Sequence, residues 1–289
     1  MKSKRHIVVT GALGQLGKSI RDILEKRDDI SFQGIDRDEV DLTSEAATRE
    51  FFATHSCDVV INCAAYTAVD KAETEREKAA AVNISAVGHI ASNAKELGFR
   101  IIHVSTDYVF PGDADTPYKE TDQTAPTTYY GESKLKGERL LQSIVPESVV
   151  VRTAWLYSAY WKNFFLTMRE KALNGECVRV VADQTGSPTL ASDLAQALVT
   201  VATAPEWTPG IYHFTNEGTT TWYEFTREIY AALGADTNLV TPIRSDEFNC
   251  VAKRPHYSVL DKEKIKTTFG LEITNWKDSL KQLINNGIE

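Results

Sequence analysis

Short runs of β-branched and apolar residues alternate with stretches of helical periodicity along the first half of the chain. In the stretch at 15–26, Leu16, Ile20, Ile23 and Leu24 recur on one helical face. This pattern predicts strands at 6–10, 31–35, 58–62, 100–105 and 148–152, and helices at 15–26, 45–55, 74–97 and 129–143. Alternating strands and helices favour parallel pairing, so we expect an α/β fold with a doubly wound parallel sheet.

The alternation is looser in the second half of the chain. Thr221 and Glu224 form a capping-box pattern that opens a helix. We predict strands at 177–181, 211–214 and 240–243, and helices at 163–174, 193–202, 221–233, 262–269 and 276–284. These elements suggest a first domain at 1–152 and a smaller C-terminal lobe at 153–289, with parts of 177–215 returning to the first domain across a discontinuous boundary.

Composition limits the class of protein. The 289 residues carry a formal net charge of −8, which argues against nucleic-acid binding because that needs a basic surface. No apolar run approaches the ~18 residues of a membrane span. Cys57, Cys63, Cys177 and Cys250 show no C-x-x-C spacing, and the histidines show no metal-ligand spacing. We therefore expect a cytoplasmic protein without disulfides and without a metal.

A glycine-spaced loop follows the first predicted strand. Gly11, Gly14 and Gly17 permit a tight turn and close approach of the backbone to a pyrophosphate, which the next helix would hold at its N-terminus. Asp36 ends the second strand, where an acid typically binds the ribose 2′-hydroxyl of NADH, whereas Arg37 could pair with the 2′-phosphate of NADPH. We expect NADPH, with NADH as the alternative, in a doubly wound (Rossmann) dinucleotide-binding domain.

Further residues complete this cofactor site. Asp41 and Leu42 would flank the adenine. The third strand ends in small residues, and these would let the cofactor lie against the backbone; they lead through Ala64 and Ala65 to Tyr66.

Three residues predict the chemistry. Lys134 follows Tyr130 by four positions, so both side chains share one face of a helix. A free tyrosine has a pKa of about 10, and a nearby ammonium would lower it toward a useful range for proton transfer. Thr106, at the end of the fourth strand, would orient a carbonyl oxygen. This set indicates hydride transfer at a carbonyl.

Together, these residues resemble the extended short-chain dehydrogenase/reductase family. Within it, the chain is similar to the dTDP-4-dehydrorhamnose reductases through S-T-D-Y-V-F at 105–110, Y-T-A-V-D-K-A-E at 66–73, Y-G-E-S-K at 130–134, R-T-A-W-L-Y at 152–157, D-Q-T-G-S-P-T at 183–189, T-T-T-W-Y-E-F at 219–225 and K-R-P-H-Y-S-V-L-D at 253–261. The resemblance covers essentially the whole chain. It implies the last step of dTDP-L-rhamnose synthesis, the NADPH- or NADH-dependent reduction of a nucleotide 4-keto sugar, and a substrate-binding role for the smaller lobe.

The resemblance also assigns residues. Thr106, Tyr130 and Lys134 become the catalytic set, Thr106, Asp107 and Trp155 would contact the sugar, and Val69 would line its pocket. The cofactor would be lined by Gly14, Gln15, Leu16, Asp41, Leu42, Ala65, Tyr66, Thr67, Val104, Tyr130 and Lys134. Arg254 is assigned from its charge to the nucleotide diphosphate. Some relatives form a metal-bridged homodimer through glutamates that have no identifiable counterparts here, so no metal is carried over.

Four alternatives remain open. A dehydratase on this fold carries an Asp-Glu pair after the catalytic threonine, but this chain has Asp107 and Tyr108, so elimination lacks its second acid/base group. A nucleotide-sugar epimerase on the same fold would hold its cofactor through turnover, whereas a reductase must exchange it. A reductase of another nucleotide 4-keto-6-deoxy sugar would share every motif. A dinucleotide-binding regulatory subunit, like that of methionine adenosyltransferase, belongs to the same family but would not need the intact catalytic set.

Overall fold

The computed structural model describes residues 4–248 and 250–287. Its strands are β1 (Arg5–Thr10), β2 (Ile30–Ile35), β3 (Val59–Asn62), β4 (Arg100–Thr106), β5 (Val149–Thr153), β6 (Leu156–Tyr157), β7 (Val178–Val181), β8 (Thr185–Gly186), β9 (Thr189–Leu190), β10 (Gly210–His213), β11 (Thr220–Thr221) and β12 (Val240–Ile243). Six of them form one sheet in the order β10-β5-β4-β3-β1-β2, with every neighbouring pair parallel. The predicted doubly wound α/β fold is confirmed.

The helices follow the predicted pattern except for an additional short helix at Val69–Ala72 and one interruption. They are α1 (Gln15–Leu24), α2 (Glu45–Thr54), α3 (Val69–Ala72), α4 (Arg76–Ala80), α5 (Ala86–Leu97), α6 (Tyr129–Ile144), α7 (Phe164–Leu173), α8 (Ala191–Thr203), α9 (Trp222–Ala232), α10 (Glu263–Phe269) and α11 (Trp276–Asn285). The single α-helix predicted at 74–97 is wrong in its middle, because a π-helical turn at Ala81–Ser85 separates α4 from α5. Asn83, in that turn, is buried and hydrogen-bonds two neighbouring segments.

Two apolar cores lie on the two faces of the main sheet. Successive residues of a strand point to opposite faces, so Ile7 and Val9 pack with helices α1 and α8 while Val8 packs with helices α2 and α5. Strand β10 pairs with β5 at the edge of the sheet although it comes late in the chain. The carboxyl ends of the parallel strands therefore meet along one edge, where ligands typically bind in such sheets.

The remaining elements form smaller packing units around α9. Phe225 and Trp276 lie in one apolar cluster with Phe165, and Tyr230 lies in another with strands β7 and β12. The predicted capping box is confirmed: Thr221 Oγ1 accepts from the Glu224 N–H at 3.1 Å, and the Glu224 carboxylate accepts from the Thr221 N–H at 3.2 Å. Across the described residues, no helix is long and apolar enough to cross a membrane.

Candidate active site

Gly11, in the loop between β1 and α1, and Gly17, in the first turn of α1, have no room for a side chain. Gly11 has a φ of 63°, and a Cβ there would lie 2.9 Å from the Ala64 nitrogen. A Cβ on Gly17 would lie 2.2 Å from the Gly11 oxygen. No side chain of the described residues caps α1 at Gly14, so the first N–H groups of this helix are available to an anion. The loop fits the pyrophosphate of a dinucleotide.

Asp36 and Arg37 lie at the end of β2, beside this loop. Asp36 accepts from the Leu13 N–H at 3.1 Å and from the Arg37 N–H at 2.8 Å, so its carboxylate also shapes the glycine loop. The Arg37 side chain is exposed, and no carboxylate of residues 4–248 and 250–287 forms an ion pair with it. Its guanidinium is therefore free to bind a phosphate.

The segment after β3 is held by the π-helical turn. Asn83 Oδ1 accepts from the Tyr66 N–H at 2.9 Å, and Asn83 Nδ2 donates to the Tyr66 carbonyl at 3.1 Å. The same amide nitrogen lies 2.9 Å from Ser133 Oγ on α6. The π-helical turn therefore fixes the cofactor-side segment at 64–67 relative to the helix that carries Tyr130.

Tyr130 and Lys134 lie buried on α6, whose N-terminus is capped by Thr128. Burial raises the pKa of Tyr130 to about 12, and a hydrogen bond with Thr106 offsets this in part. The Lys134 ammonium donates to the Val104 carbonyl at 2.7 Å, and burial lowers its pKa to about 8. Desolvation of the phenol outweighs the other contributions to the Tyr130 pKa in this structure, and its lowering by the Lys134 ammonium stays a prediction. Tyr130 is a protonated phenol, as a proton donor must be.

Asp107 lies beside this pair, after β4. Thr106 Oγ1 donates to Asp107 Oδ1 at 2.9 Å, whereas Asp107 Oδ2 is buried and has no hydrogen-bond partner among the described residues. Burial raises the pKa of Asp107 to about 7. The Tyr108 ring packs edge-on against Tyr130, with 5.4 Å between ring centroids. The unpaired oxygen of Asp107 marks a place for a donor from a ligand.

Trp155 and Arg254 approach the cleft from the other side. Trp155 follows β5 with a φ of 49°, in the left-handed region, and its ring stacks on Trp222. The Arg254 guanidinium donates to Asp70 at 2.9 Å, next to Val69 at the start of α3. Arg254 also lines the cleft, which places a cation there.

One cleft of about 1160 Å³ joins all the residues predicted from the sequence. It is lined by Gly11, Gly14, Gln15, Leu16, Gly17, Asp36, Arg37, Asp41, Leu42, Ala64, Ala65, Tyr66, Thr67, Val69, Val104, Thr106, Asp107, Tyr130, Lys134, Trp155 and Arg254. The cleft has other lining residues that the motifs do not predict, among them Leu13, Lys78, Tyr108, Trp161 and Asn163. Trp161 and Asn163 lie where the chain passes from Trp155 to the helix predicted at 163–174. That position is the sequence signal that could have pointed to them.

The family model described as the RmlD substrate binding domain matches residues 5–288. The chain belongs to this family. It is 41% identical to the dTDP-4-dehydrorhamnose reductase of Streptomyces griseus, over 95% of this chain and 91% of that protein. It is 40% identical to a protein of Streptomyces antibioticus named probable dTDP-4,6-dihydroxy-2-methyloxan-3-one 4-ketoreductase, over 95% and 93% of the two chains.

A solved relative extends the comparison to the fold. The dTDP-4-dehydrorhamnose reductase of Bacillus anthracis, solved in complex with NADP, superposes with a TM-score of 0.93 at 32% identity and covers 98% of this chain and 100% of that one. These matches confirm the resemblance to dTDP-4-dehydrorhamnose reductases that the sequence motifs predict.

Proposed function

We propose that the protein reduces the 4-keto group of dTDP-4-dehydro-L-rhamnose to give dTDP-L-rhamnose, with NADPH as the hydride donor and NADH as a usable substitute. The observation that carries this proposal is the single cleft that joins the glycine loop to Thr106, Tyr130 and Lys134. The names of the relatives from Streptomyces griseus and Bacillus anthracis support it. The reaction is the last step of dTDP-rhamnose biosynthesis.

The cofactor would lie along the carboxyl ends of β1, β2 and β3. The uncapped N-terminus of α1 would hold its pyrophosphate, and Arg37 would hold the 2′-phosphate. Asp41, Leu42 and the segment at 64–67 line the same side of the cleft. When bound, the reduced nicotinamide supplies the hydride that attacks the 4-keto carbon.

Tyr130 provides the proton. Its phenol is protonated near neutrality, as a tyrosine is even at its ordinary pKa of about 10, so it can donate to the keto oxygen as negative charge develops there. Thr106 can turn its hydroxyl toward the same oxygen, a bond that is stronger in the transition state than in the ground state. Lys134 stabilises the resulting phenolate through its positive charge.

The sugar and its diphosphate occupy the other end of the cleft. Asp107 Oδ2 would accept from a sugar hydroxyl, which supplies the partner that this oxygen lacks among the described residues. Trp155 and Val69 offer apolar contact, and Arg254 offers a cation for the diphosphate. The domain at 1–152 then serves the cofactor, and the lobe at 153–289 largely serves the substrate.

Two features of the wider molecule belong to the same proposal. The thiols of Cys57, Cys63, Cys177 and Cys250 are free, which suits a reducing cytoplasm. A homodimer is compatible with the family, and the acidic net charge of −8 suits a small-molecule enzyme that binds no nucleic acid.

The relative from Streptomyces antibioticus favours a second candidate substrate, a related dTDP-linked keto sugar. The experiment incubates purified protein with NADPH and dTDP-4-dehydro-L-rhamnose, follows NADPH oxidation and identifies the product. Oxidation with formation of dTDP-L-rhamnose supports the proposal. NADPH oxidation with another dTDP-keto sugar alone would identify that sugar as the substrate. No NADPH oxidation by protein that binds NADPH would favour the regulatory-subunit alternative.

A further inference from the structure

Four buried polar side chains form a row across the sheet beneath the cleft. Thr10 on β1 is the register partner of Asn62 on β3, and Asn62 is the register partner of His103 on β4. Lys134 on α6 completes the row. Their exposed fractions are 0%, 2%, 0% and 1% in that order. The neighbouring strand positions carry valine and isoleucine, so this polar row stands out from an otherwise apolar sheet.

The side chains contact one another in sequence. The Ala64 N–H donates to Thr10 Oγ1 at 3.2 Å, and Thr10 Oγ1 donates to Asn62 Oδ1 at 2.6 Å. Asn62 Nδ2 lies 3.0 Å from His103 Nδ1, and His103 Nε2 lies 3.4 Å from Lys134 Nζ. The row therefore runs from the base of the glycine loop to the catalytic lysine.

His103 is uncharged in this position. Burial lowers its pKa well below the ordinary value, and the Lys134 ammonium lowers it further. A neutral imidazole has one donor and one acceptor nitrogen, so when Nε2 accepts from the Lys134 ammonium, the Nδ1–H requires the oxygen of the Asn62 amide, whose nitrogen then donates to the Thr10 hydroxyl. Buried polar groups are costly unless they are hydrogen-bonded, so the row needs each of its members.

Lys134 has few other contacts that fix its head group. Among the described residues, the hydrogen-bond partners of Nζ are the Val104 carbonyl and His103. The charged or titratable groups that act on Lys134 besides His103 are Glu138 on its own helix and Cys63 after β3. A four-carbon flexible side chain held at two points keeps its third N–H directed at the cleft.

We propose that His103 is a positioning residue for Lys134, which it links through Asn62 and Thr10 to the base of the glycine loop. The role rests on the proposed reductase function, because it concerns the lysine that assists Tyr130. His103 itself lines no part of the cleft and contacts no reacting atom.

The test separates the two ring nitrogens. In His103→Gln the amide can occupy the Nε2 position beside Lys134, whereas in His103→Asn it can occupy only the Nδ1 position beside Asn62. We expect His103→Asn to lower kcat about 10- to 100-fold, the scale for a misplaced catalytic group, with little change in KM. His103→Gln should keep most of the wild-type kcat. Equal activity of the two variants, whether both are low or both are normal, would overturn the proposal.

A double-mutant cycle tests whether His103 acts through the lysine. Once Lys134→Met has removed the ammonium, His103→Asn should cause no further loss of single-turnover rate, because the effects of substitutions at interacting groups are not additive. A full additional loss would show that His103 acts elsewhere. His213→Asn is the matched control, since His213 on the edge strand β10 is also fully buried, but its Nδ1–H donates to the Tyr118 carbonyl at 3.1 Å.

A substrate-free measurement keeps this proposal distinct from the proposed function. Protein with ¹⁵N-labelled lysine shows an Nζ resonance for Lys134 that is assigned by its absence from Lys134→Met. We expect this resonance to shift in His103→Asn and to stay in place in His213→Asn. Failure of the wild type to reduce the sugar would contradict only the proposed reductase function. A Lys134 resonance that does not shift in His103→Asn would contradict the proposed contact between His103 and Lys134.

Discussion

Trp155 and Trp222 stack with 3.6 Å between their ring centroids and 9° between their planes. Trp155 lines the cleft with a φ of 49°, a left-handed conformation that a bulky residue rarely adopts. Trp222 begins α9 and also contacts Phe164 at 4.5 Å between centroids. The stack therefore holds a strained aromatic residue in the wall of the cleft.

We expect Trp222→Ala to raise the substrate KM with a smaller effect on kcat, because Trp155 would lose the ring that fixes it. Trp155→Ala should raise KM further, and the double variant should resemble Trp155→Ala, since the two rings act as one unit. Steady-state kinetics of the three variants check this. Trp222→Phe keeps an aromatic partner and serves as the control. Additive effects on KM would show that Trp222 acts independently of Trp155.

Tyr130→Phe should bind NADPH nearly as well as the wild type but lose at least about 100-fold in turnover, the usual scale for a positioned general acid. The substitution removes one buried hydroxyl and keeps the ring that packs against Tyr108. Tyr129→Phe is the matched control, because the neighbouring ring points to Arg76 instead, 4.8 Å from its centroid. Kinetics with NADPH titrations measure both effects, and near-normal turnover of Tyr130→Phe would remove this residue from the catalytic set.

Asp107 links stability to pH. Burial raises the pKa of Asp107 to about 7 in the folded protein, whereas an unfolded aspartate has a pKa of about 3.9. Between these values the folded state holds a proton that the unfolded state lacks, so stability falls as the pH rises from about 4 to about 7. We therefore expect Asp107→Asn to raise Tm by an increment that grows over this range and is constant above it.

Thermal unfolding in a series of buffers measures that increment. Asp115→Asn is the control, because Asp115 is exposed and should give no such trend. A Tm difference between Asp107→Asn and the wild type that is independent of pH would show that this carboxyl is ionised throughout the range.

The main sheet was predictable because its strands are apolar runs bounded by glycine, asparagine and aspartate. The glycine loop and the Tyr130–Lys134 pair were predictable for a related reason: their spacings are local, and the order of the elements brings them to one edge of the sheet. The comparisons confirm the fold class and the family, whereas the roles of individual site residues stay predictions.

The features that the sequence does not predict depend on contacts between distant segments of the chain. The π-helical turn that contains Asn83 follows from its hydrogen bonds to Tyr66 and Ser133, which lie 17 and 50 positions away. The raised pKa of Tyr130 likewise follows from burial that the motif does not encode. The two-residue strands were too short to leave a periodic signal.

Arg37→Ala should weaken NADPH binding about 10- to 100-fold and leave NADH binding nearly unchanged, because a hydrogen bond between charged groups contributes about 1.5–3 kcal/mol and only NADPH carries the 2′-phosphate. Asp36→Ala should weaken both cofactors, since the Asp36 carboxylate accepts from the Leu13 N–H within the glycine loop. Fluorescence titrations with the two cofactors measure these affinities. An equal effect of Arg37→Ala on NADPH and NADH would show that this side chain does not contact the 2′-phosphate.

Residues 158–163, here called the strap, cross from the end of β6 to the glycine loop and α1. Trp161 Nε1 donates to the Leu13 carbonyl, Ser158 Oγ donates to Gln15 Oε1 at 3.0 Å, and Tyr160 Oη donates to Asp22 at 2.6 Å. Trp161 has a φ of 56° and is largely exposed, although it lines the cleft. The strap thus lies where it would cover the cofactor pyrophosphate.

Trp161→Phe removes one hydrogen bond that holds the strap against the glycine loop. Because such a bond contributes about 1 kcal/mol, we expect NADPH to dissociate roughly fivefold faster, with little change in its association rate. Stopped-flow measurements of cofactor binding and release check this. Trp207→Phe is the matched control, since the Trp207 indole N–H also donates to a carbonyl, that of Glu147, outside the residues that line the cleft. If the two variants release NADPH at the same rate, the strap does not limit cofactor release.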